Sequence, residues 1–336
     1  MKGTATTLDS LLDLSVRIGR NPLLVQASSG NTSLKIDDTL WIKASGKWLA
    51  YADREEILVP VDLPECLECL RTSRSLTPKA DLRPSIETFM HAILPQRVVV
   101  HVHSVNTIAW AVRSDATSQL SERLDGLRWQ WVPYTLSGMP LARAICAASI
   151  NNPETDVFVL GNHGLVVCGQ DCDVVESLLF EVERRLAIRP RPAADAQPSV
   201  LERVARSSHW RLPDADVLHT LGADTISRRI VDRGVLYPCQ AIFLGAALPH
   251  FASSKGFSEI DGTSPVVVVE GSGVLTNENI TAAEWAMLNG FAEVVRRIDT
   301  SAPIRYLTDQ EVNSVLGENG HHYRMSADNQ VRRTAP

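Results

Sequence analysis

The chain has 336 residues, of which 44% are hydrophobic and 21% charged, a globular balance with room for two ordinary domains or one large one. Its net charge of −6 (33 basic against 39 acidic residues) offers no basic face, so a nucleic-acid partner is not expected. No apolar run approaches the roughly 20 residues that span a bilayer, and Asp9 and Asp13 break the first apolar stretch, unlike a signal peptide. No membrane partner is expected, and the expected location is cytoplasmic.

Residues 8–19 repeat apolar positions at Leu8, Leu11, Leu12 and Val16, which predicts an amphipathic helix. A Gly/Ser/Asn turn at Ser28-Ser29-Gly30-Asn31 leads into strands over Thr32–Ile36 and Thr39–Lys43, joined by the turn Asp37-Asp38. Cys66 and Cys69 form a C-x-x-C, but none of the other cysteines (146, 168, 172 and 239) gives a second pair at zinc-ribbon spacing, so a structural role is expected. Residues 84–94 read as a helix opened by Pro84. Val98–His103 is a β-branched run and the strongest strand signal of this half. Val157–Leu160 is a second buried strand, running into Gly161-Asn162-His163-Gly164, and a long helix is expected over 172–187.

Residues 188–199 are rich in proline and alanine without apolar periodicity, which marks a domain boundary. The expected division is a catalytic domain over 1–190, a linker over 191–205 and a smaller C-terminal α/β domain over 206–336. The C-terminal domain carries a diverged repeat of the first. Val157–Gly164 (VFVLGNHG) aligns without a gap on Val266–Gly273 (VVVVEGSG), and a long helix follows each. Those helices end in Arg184-Arg185-Leu186 and Arg296-Arg297-Ile298, matched after a shift of about three residues. The plainer alternative is that strand, glycine turn and helix units all look alike. If the repeat is real, Ser272 stands where the first copy has His163, and the second copy has lost the metal site.

Chemistry concentrates on three histidines. His101 and His103 sit at i and i+2 of a strand, so they share a face with α-carbons roughly 6.5–7 Å apart, close enough to converge on one cation. Alone, H-x-H serves equally well as a structural or surface pair. His163, at the end of a buried strand between Asn162 and Gly164, is the natural third ligand. Three neutral imidazoles leave coordination positions open, as a catalytic ion needs. The remaining histidines (91, 209, 219, 250, 321 and 322) read as core or surface. Glu87 stands fourteen residues before His101. By position alone, a glutamate in a first helical turn complements the helix dipole; beside a cation it is an acid/base.

Taken in order, Ser28-Ser-Gly-Asn-Thr-Ser33, Lys43-Ala-Ser-Gly46, Pro84-Ser-Ile-Glu87, His101-Val-His103 and Asn162-His-Gly-Leu165 resemble the class II aldolase/adducin family across residues 10–187. The likeness is to its sugar-phosphate aldolases of the rhamnulose and fuculose type. It implies a three-layer α/β/α domain on a mostly antiparallel central sheet. It also implies a divalent ion, expected to be zinc, on His101, His103 and His163, with Glu87 as general acid/base. The implied reaction cleaves or forms a carbon–carbon bond of a ketose phosphate or related sugar acid through an enediolate. Ser28, Gly30, Asn31, Ser45, Gly46 and Ser85 would cradle the phosphate with short side chains and backbone N–H groups, and Lys43 would add charge. Lys47 is expected to be solvated at the surface. A homo-oligomer is implied as well.

Two departures bear on the substrate. Ile86 follows Ser85 where sugar-phosphate aldolases commonly carry a second serine, and the tyrosine that protonates the leaving aldehyde has no clear match, Tyr134 being the nearest. The alternatives are a decarboxylase or epimerase of the same fold acting on a sugar-acid phosphate, and a non-catalytic, adducin-like scaffold. The C-terminal half resembles the portion that follows the aldolase module in rhamnulose-type members with a fused dehydrogenase. Gly271-Ser-Gly273 lacks the third glycine of a G-x-G-x-x-G turn, so neither a dinucleotide site nor that dehydrogenase is expected.

Overall fold

The computed structural model describes residues 6–77, 82–206, 209–251, 264–317, 320 and 323–327. The N-terminal part runs α1 (Leu8–Gly19), β1 (Asn31–Ile36), β2 (Thr39–Lys43), β3 (Leu58–Asp62), α2 (Leu63–Thr72), α3 (Thr88–Ile93), β4 (Val98–Val102), α4 (Val105–Ala111), α5 (Ala116–Arg123), β5 (Trp129–Val132), α6 (Met139–Ser149), β6 (Val157–Leu160), β7 (Gly164–Gly169) and α7 (Cys172–Leu186). Seven strands form one sheet in the order β3-β2-β1-β4-β7-β6-β5, antiparallel throughout except for β5 against β6.

Side-chain alternation makes this sheet the middle of three layers. Val98, Val100 and Val102 of β4 pack with α1, α5 and α7 on one face, whereas Val99 packs with α2, α3 and α6 on the other. His101 shares the parity of Val99, so its imidazole points toward the α3 face. This is the three-layer α/β/α arrangement expected from the resemblance.

The helix predicted over 84–94 is shorter in the structure. Ser45 N–H bonds the Arg83 carbonyl at 2.8 Å, Ser85 N–H bonds the Lys43 carbonyl at 3.3 Å, and Pro84 bridges Ala44. Residues 83–85 thus extend the ladder beyond β2, and α3 begins only at Thr88.

The C-terminal part comprises α8 (Pro198–Ala205), β8 (Trp210–Arg211), α9 (Asp216–Ala223), α10 (Thr225–Val231), α11 (Pro238–Leu244), β9 (His250–Phe251), β10 (Val266–Val269), β11 (Gly273–Asn277), α12 (Ala282–Arg297) and α13 (Asp309–Leu316), with residues 323–327 helical. Its four-stranded sheet has the order β8-β11-β10-β9. Part of the stretch read as linker is therefore helix: Leu201 of α8 is buried beneath Val267, Val269 and Leu275 of this sheet.

The two hairpins aligned in the sequence share a strand register. Leu160 pairs with Gly164 and Val157 with Val167; Val269 pairs with Gly273 and Val266 with Thr276. Each hairpin has a parallel neighbour on one side (β5 or β9) and an antiparallel one on the other (β4 or β8). Val100 faces Val167 as Arg211 faces Thr276, so Leu212 and Asp214 stand where the first copy has His101 and His103. With Ser272 for His163, the second copy holds none of the three imidazoles.

The two parts share a core. Val105, Ile108 and Ala109 of α4 are buried against Leu288, Phe291 and Val295 of α12. Asn162, in the left-handed region at φ 50°, fastens the turn before β7 to the C-terminal part. Its Nδ2 donates to the carbonyls of Leu236 and Arg305, both at 2.8 Å, and its Oδ1 accepts from Arg305 at 3.0 Å. Replacing Asn162 by Ala should strand two buried carbonyls and lower stability by roughly 3 kcal/mol in urea titration. A loss below about 1 kcal/mol would show that this joint carries little weight.

Candidate functional site

The parity of β4 and one glycine determine where the imidazoles meet. His101, next to last in β4, lies opposite Asn31 of β1 and Val166 of β7, and His103 follows just beyond the strand. A Cβ on Gly164 would lie 2.5 Å from the Val102 carbonyl, so only glycine lets this turn approach the end of β4 so closely, with the His101 and His103 rings at contact distance, 3.4 Å. Gly30 serves the same end from the other side: its φ is +68°, and a Cβ there would sit 2.7 Å from the His101 carbonyl. The three rings of His101, His103 and His163 lie with centroids 4.9–5.0 Å apart, edge to face. All three are buried, and each offers a ligand atom within 4.8 Å of the others.

These residues suit a divalent cation, and the hydrogen bonds say why. His101 Nδ1 lies 3.0 Å from the Leu165 carbonyl, which can only accept, so Nδ1 carries the proton and Nε2 a bare lone pair. His103 Nε2 lies 3.1 Å from that lone pair, with its own Nδ1 3.5 Å from the Cys239 thiol. Two imidazole nitrogens at this separation need a proton or a cation between them. Tetrahedral zinc with bonds of about 2.0–2.1 Å puts its ligand nitrogens roughly 3.3 Å apart. C-x-x-C does not compete: Cys66 and Cys69 are buried on α2, and burial pushes the Cys66 thiol up to about 12.

Glu87 precedes α3 as its N-cap but makes no capping bond, so it does not serve the helix. Its carboxylate lies 3.3 Å from His163 Nε2 and 3.5 Å from His101 Nε2, and it accepts from Asn31 at 3.0 Å and Ser137 at 3.2 Å. Burial works against its charge, but the imidazoles and the Asn31 amide outweigh that and hold the carboxyl well below its usual range.

His91, read from sequence as core or surface, belongs to this site. Ser33 Oγ lies 2.7 Å from its Nδ1, and its Nε2 lies 2.5 Å from Asn31 Oδ1. A directed chain results: Ser33 donates to His91, His91 to Asn31, and Asn31 to Glu87. Burial keeps the His91 imidazole neutral, its pKa lowered to about 3. A histidine one helical turn after a glutamate was the available signal, but the partner Asn31 is sixty residues away.

His103 and His163 of the triad line a cavity of about 140 Å³. Ser28, Gly30, Asn31, Lys43, Ser45, Ser85 and Glu87 line it, so the structure brings most of the expected cradle to one place. Two members are committed elsewhere. Asn31 spends its amide on Glu87 and Ser85, and Gly46 (φ +77°) packs under Ser326, whose Cβ leaves no room for a side chain there. Lys43 is buried, its ammonium bonded to the carbonyls of Ser28 and Lys47 at 2.8 and 2.7 Å; burial lowers its pKa to about 7. Lys47 pairs with Glu55 at 3.0 Å rather than standing in solvent. The C-terminal part supplies the far wall through Cys239 and Ile242 of α11, Val315 of α13, and Tyr323. Tyr134 is not in this lining; its ring lies 5.0 Å from the Arg305 guanidinium.

Of the other histidines, His219 accepts from Val274 N–H at 3.3 Å in the second hairpin and His250 pairs with Asp232 at 2.9 Å, while His209 is half-buried beside Trp210. His321 and His322 lie outside the described residues.

Comparison with known proteins agrees in region. The family described as class II aldolase and adducin N-terminal domain matches residues 13–189, over half the chain. A relative from Bacillus subtilis (strain 168), named uncharacterized oxidoreductase YuxG, is 28% identical over 183 residues, covering 48% of this chain and 26% of that protein. The chain thus matches about a quarter of that relative's length. Among solved structures, the N-terminal class II aldolase domain of a conserved protein from Thermoplasma acidophilum aligns with TM-score 0.48 and 22% identity, covering 55% of this chain and 94% of that one. The l-fuculose-1-phosphate aldolase from Thermus thermophilus aligns with TM-score 0.40 and 18% identity, covering 61% and 97%. Among the described residues no helix is long and apolar enough to cross a membrane.

Burial of the imidazoles sets an acid limit. His91 and His163 have pKa values lowered to about 3 and about 4, chiefly by burial, against 6.5 when unfolded. Between those values the unfolded chain binds more protons, so stability should fall as pH drops from about 6.5 toward 4, by about 3 kcal/mol per imidazole. Urea titrations across this range should show the fall, and His91→Gln should flatten it; a pH-independent midpoint would contradict the assignment.

Proposed function

The chain belongs to the class II aldolase and adducin family, and on that premise we propose that it is a metal-dependent lyase. Its substrate on this reading is a ketose phosphate or a related sugar acid, whose carbon–carbon bond it cleaves or forms. One observation carries the reading: a buried, ionised Glu87 whose carboxylate touches two of three convergent imidazoles at the wall of a cavity.

His101, His103 and His163 would hold a divalent ion, zinc being the simplest choice for three imidazoles. When bound, that ion supplies positive charge for the substrate oxygen that becomes anionic as the bond breaks. The chain's own residues manage the proton. In the bond-forming direction ionised Glu87 removes a proton from the carbon next to the carbonyl, while the aldehyde oxygen takes one from solvent. In cleavage the hydroxyl proton leaves to solvent and the conjugate acid of Glu87 returns a proton to that carbon. Asn31 and Ser137 hold the carboxylate in place, and the His91–Ser33 chain behind Asn31 fixes the orientation of the amide. Ser28, Gly30, Ser45 and Ser85 offer short side chains and backbone at the cavity for a phosphate or carboxylate. Lys43 contributes from beneath, through charge rather than contact.

Ile86 is exposed at the cavity beside Leu136, where a second serine would have offered a phosphate contact. That favours an anion bound by fewer hydroxyl groups, and it keeps a sugar-acid substrate, with decarboxylation or epimerisation, as the second reading.

Replacing His103 by Ala should abolish both bound metal, measured by elemental analysis, and turnover. Glu87→Gln should keep the metal yet lower kcat by about 10²–10⁴-fold. Turnover would be followed on a panel of ketose phosphates and sugar-acid phosphates with coupled aldehyde and carbon dioxide detection. An aldehyde product supports the lyase; carbon dioxide without aldehyde replaces it with a decarboxylase. Full activity in His103→Ala would overturn the metal centre altogether.

A further inference from the structure

A second cleft, of about 400 Å³, lies where the ends of α4 and α12 meet residues 188–191. Its charge runs against that of the chain, whose net value is −6. Arg113, Arg123, Arg189, Arg191, Arg296 and Arg297 all line it, against one carboxylate, Asp299.

Part of this charge is committed to structure. Arg113 grips Asp115 through two bonds of 2.7 Å, Arg191 reaches Asp224 at 3.2 Å, and Arg296 and Arg297 share Glu293. Glu183, near Arg297, is engaged by Asn106 and Thr107. Arg123 and Arg189 have no carboxylate partner among the described residues. Arg123 donates to the Gln119 carbonyl at 2.6 Å, and its guanidinium lies 3.9 Å from the centre of the Trp110 ring. Stacking on an indole fixes a guanidinium in place and leaves its charge uncancelled. Uncompensated like charges sharing one cleft repel, and a cleft between low-dielectric walls concentrates counter-ions of the opposite sign. Planar guanidinium forks match the paired oxygens of a phosphate better than any other side chain.

We propose that this cleft binds a small phosphorylated anion, with Arg123 and Arg189 as its principal charges. The site is separate from the Glu87 cavity: the two linings have no residue in common. It spans α4 of the first part and α12 of the second, which share a core, so an occupant adds a bridge across their joint.

The test is calorimetric titration of the metal-loaded protein with inorganic phosphate at constant ionic strength. Arg123→Gln/Arg189→Gln should weaken one saturable phosphate site by about tenfold or more, whereas Ser45→Ala/Ser85→Ala, which alters the other cavity, should leave that site intact. Arg189→Gln alone changes an exposed side chain with no carboxylate partner among the described residues, so it should weaken the site without disturbing the fold. Unchanged phosphate affinity in the arginine variants would overturn the proposal. So would loss of all phosphate binding in the serine variant, or the absence of saturable binding at millimolar phosphate.

Discussion

A carboxylate buried beside imidazoles is the constraint around which the N-terminal part is arranged. Removing Glu87 from water costs several kcal/mol unless its charge is met at short range, and here four side chains surround it, with Asn31 and Ser137 donating hydrogen bonds. His101 and His163 come from strand ends on either side of the β4–β7 pairing, Asn31 from the start of β1, and Ser137 from the loop before α6. Each must arrive with the correct face, and β parity decides that for His101 and Asn31, the two that sit in strands. A one-residue slip of β4 would send His101 to the α1 and α7 side, away from the carboxylate and the other two imidazoles. The glycines at 30 and 164 follow from the same demand, since a Cβ at either would press on the β4 backbone, at the carbonyls of His101 and Val102.

The second copy of the fold shows what remains when that constraint is lifted. Its hairpin keeps the register of the first and the same parallel and antiparallel neighbours, but Leu212, Asp214 and Ser272 stand in place of the histidines. The C-terminal part is coupled to the first through α4 and α12 and walls its cavity with α11, α13 and Tyr323. The C-terminal part thus supplies one wall of the cavity from within the same chain. The Asn162 joint ties this surface to the turn that carries His163, so packing between the parts bears directly on the position of a proposed ligand.

Much of this was legible from the sequence because it rests on local pattern. The β-branched run around His101, the apolar periodicity of α1, and the gapless match of the two hairpins depend on neighbours a few residues apart. Five short motifs in order were enough to point to the family and to the residues now found at one cavity. The sequence also exposed the loss of His163 in the second copy, since Ser272 aligns without a gap.

Tertiary structure alone decided the rest, and the reason is distance along the chain. His91 looked like a core histidine because its partners, Ser33 and Asn31, lie some sixty residues earlier. Pro84 suggested a helix start, yet residues 83–85 pair with the end of β2, and only the folded sheet offers that partner. Gly46 and Lys43 bear the expected residue types, but one is covered by Ser326 and the other is bonded to backbone carbonyls. The arginine cleft draws on four separate stretches, each ordinary in sequence, and becomes a concentration of charge only once α4 and α12 are packed together. Sequence determined which chemistry the chain can hold; the packing of distant segments decided which side chains are free to perform it.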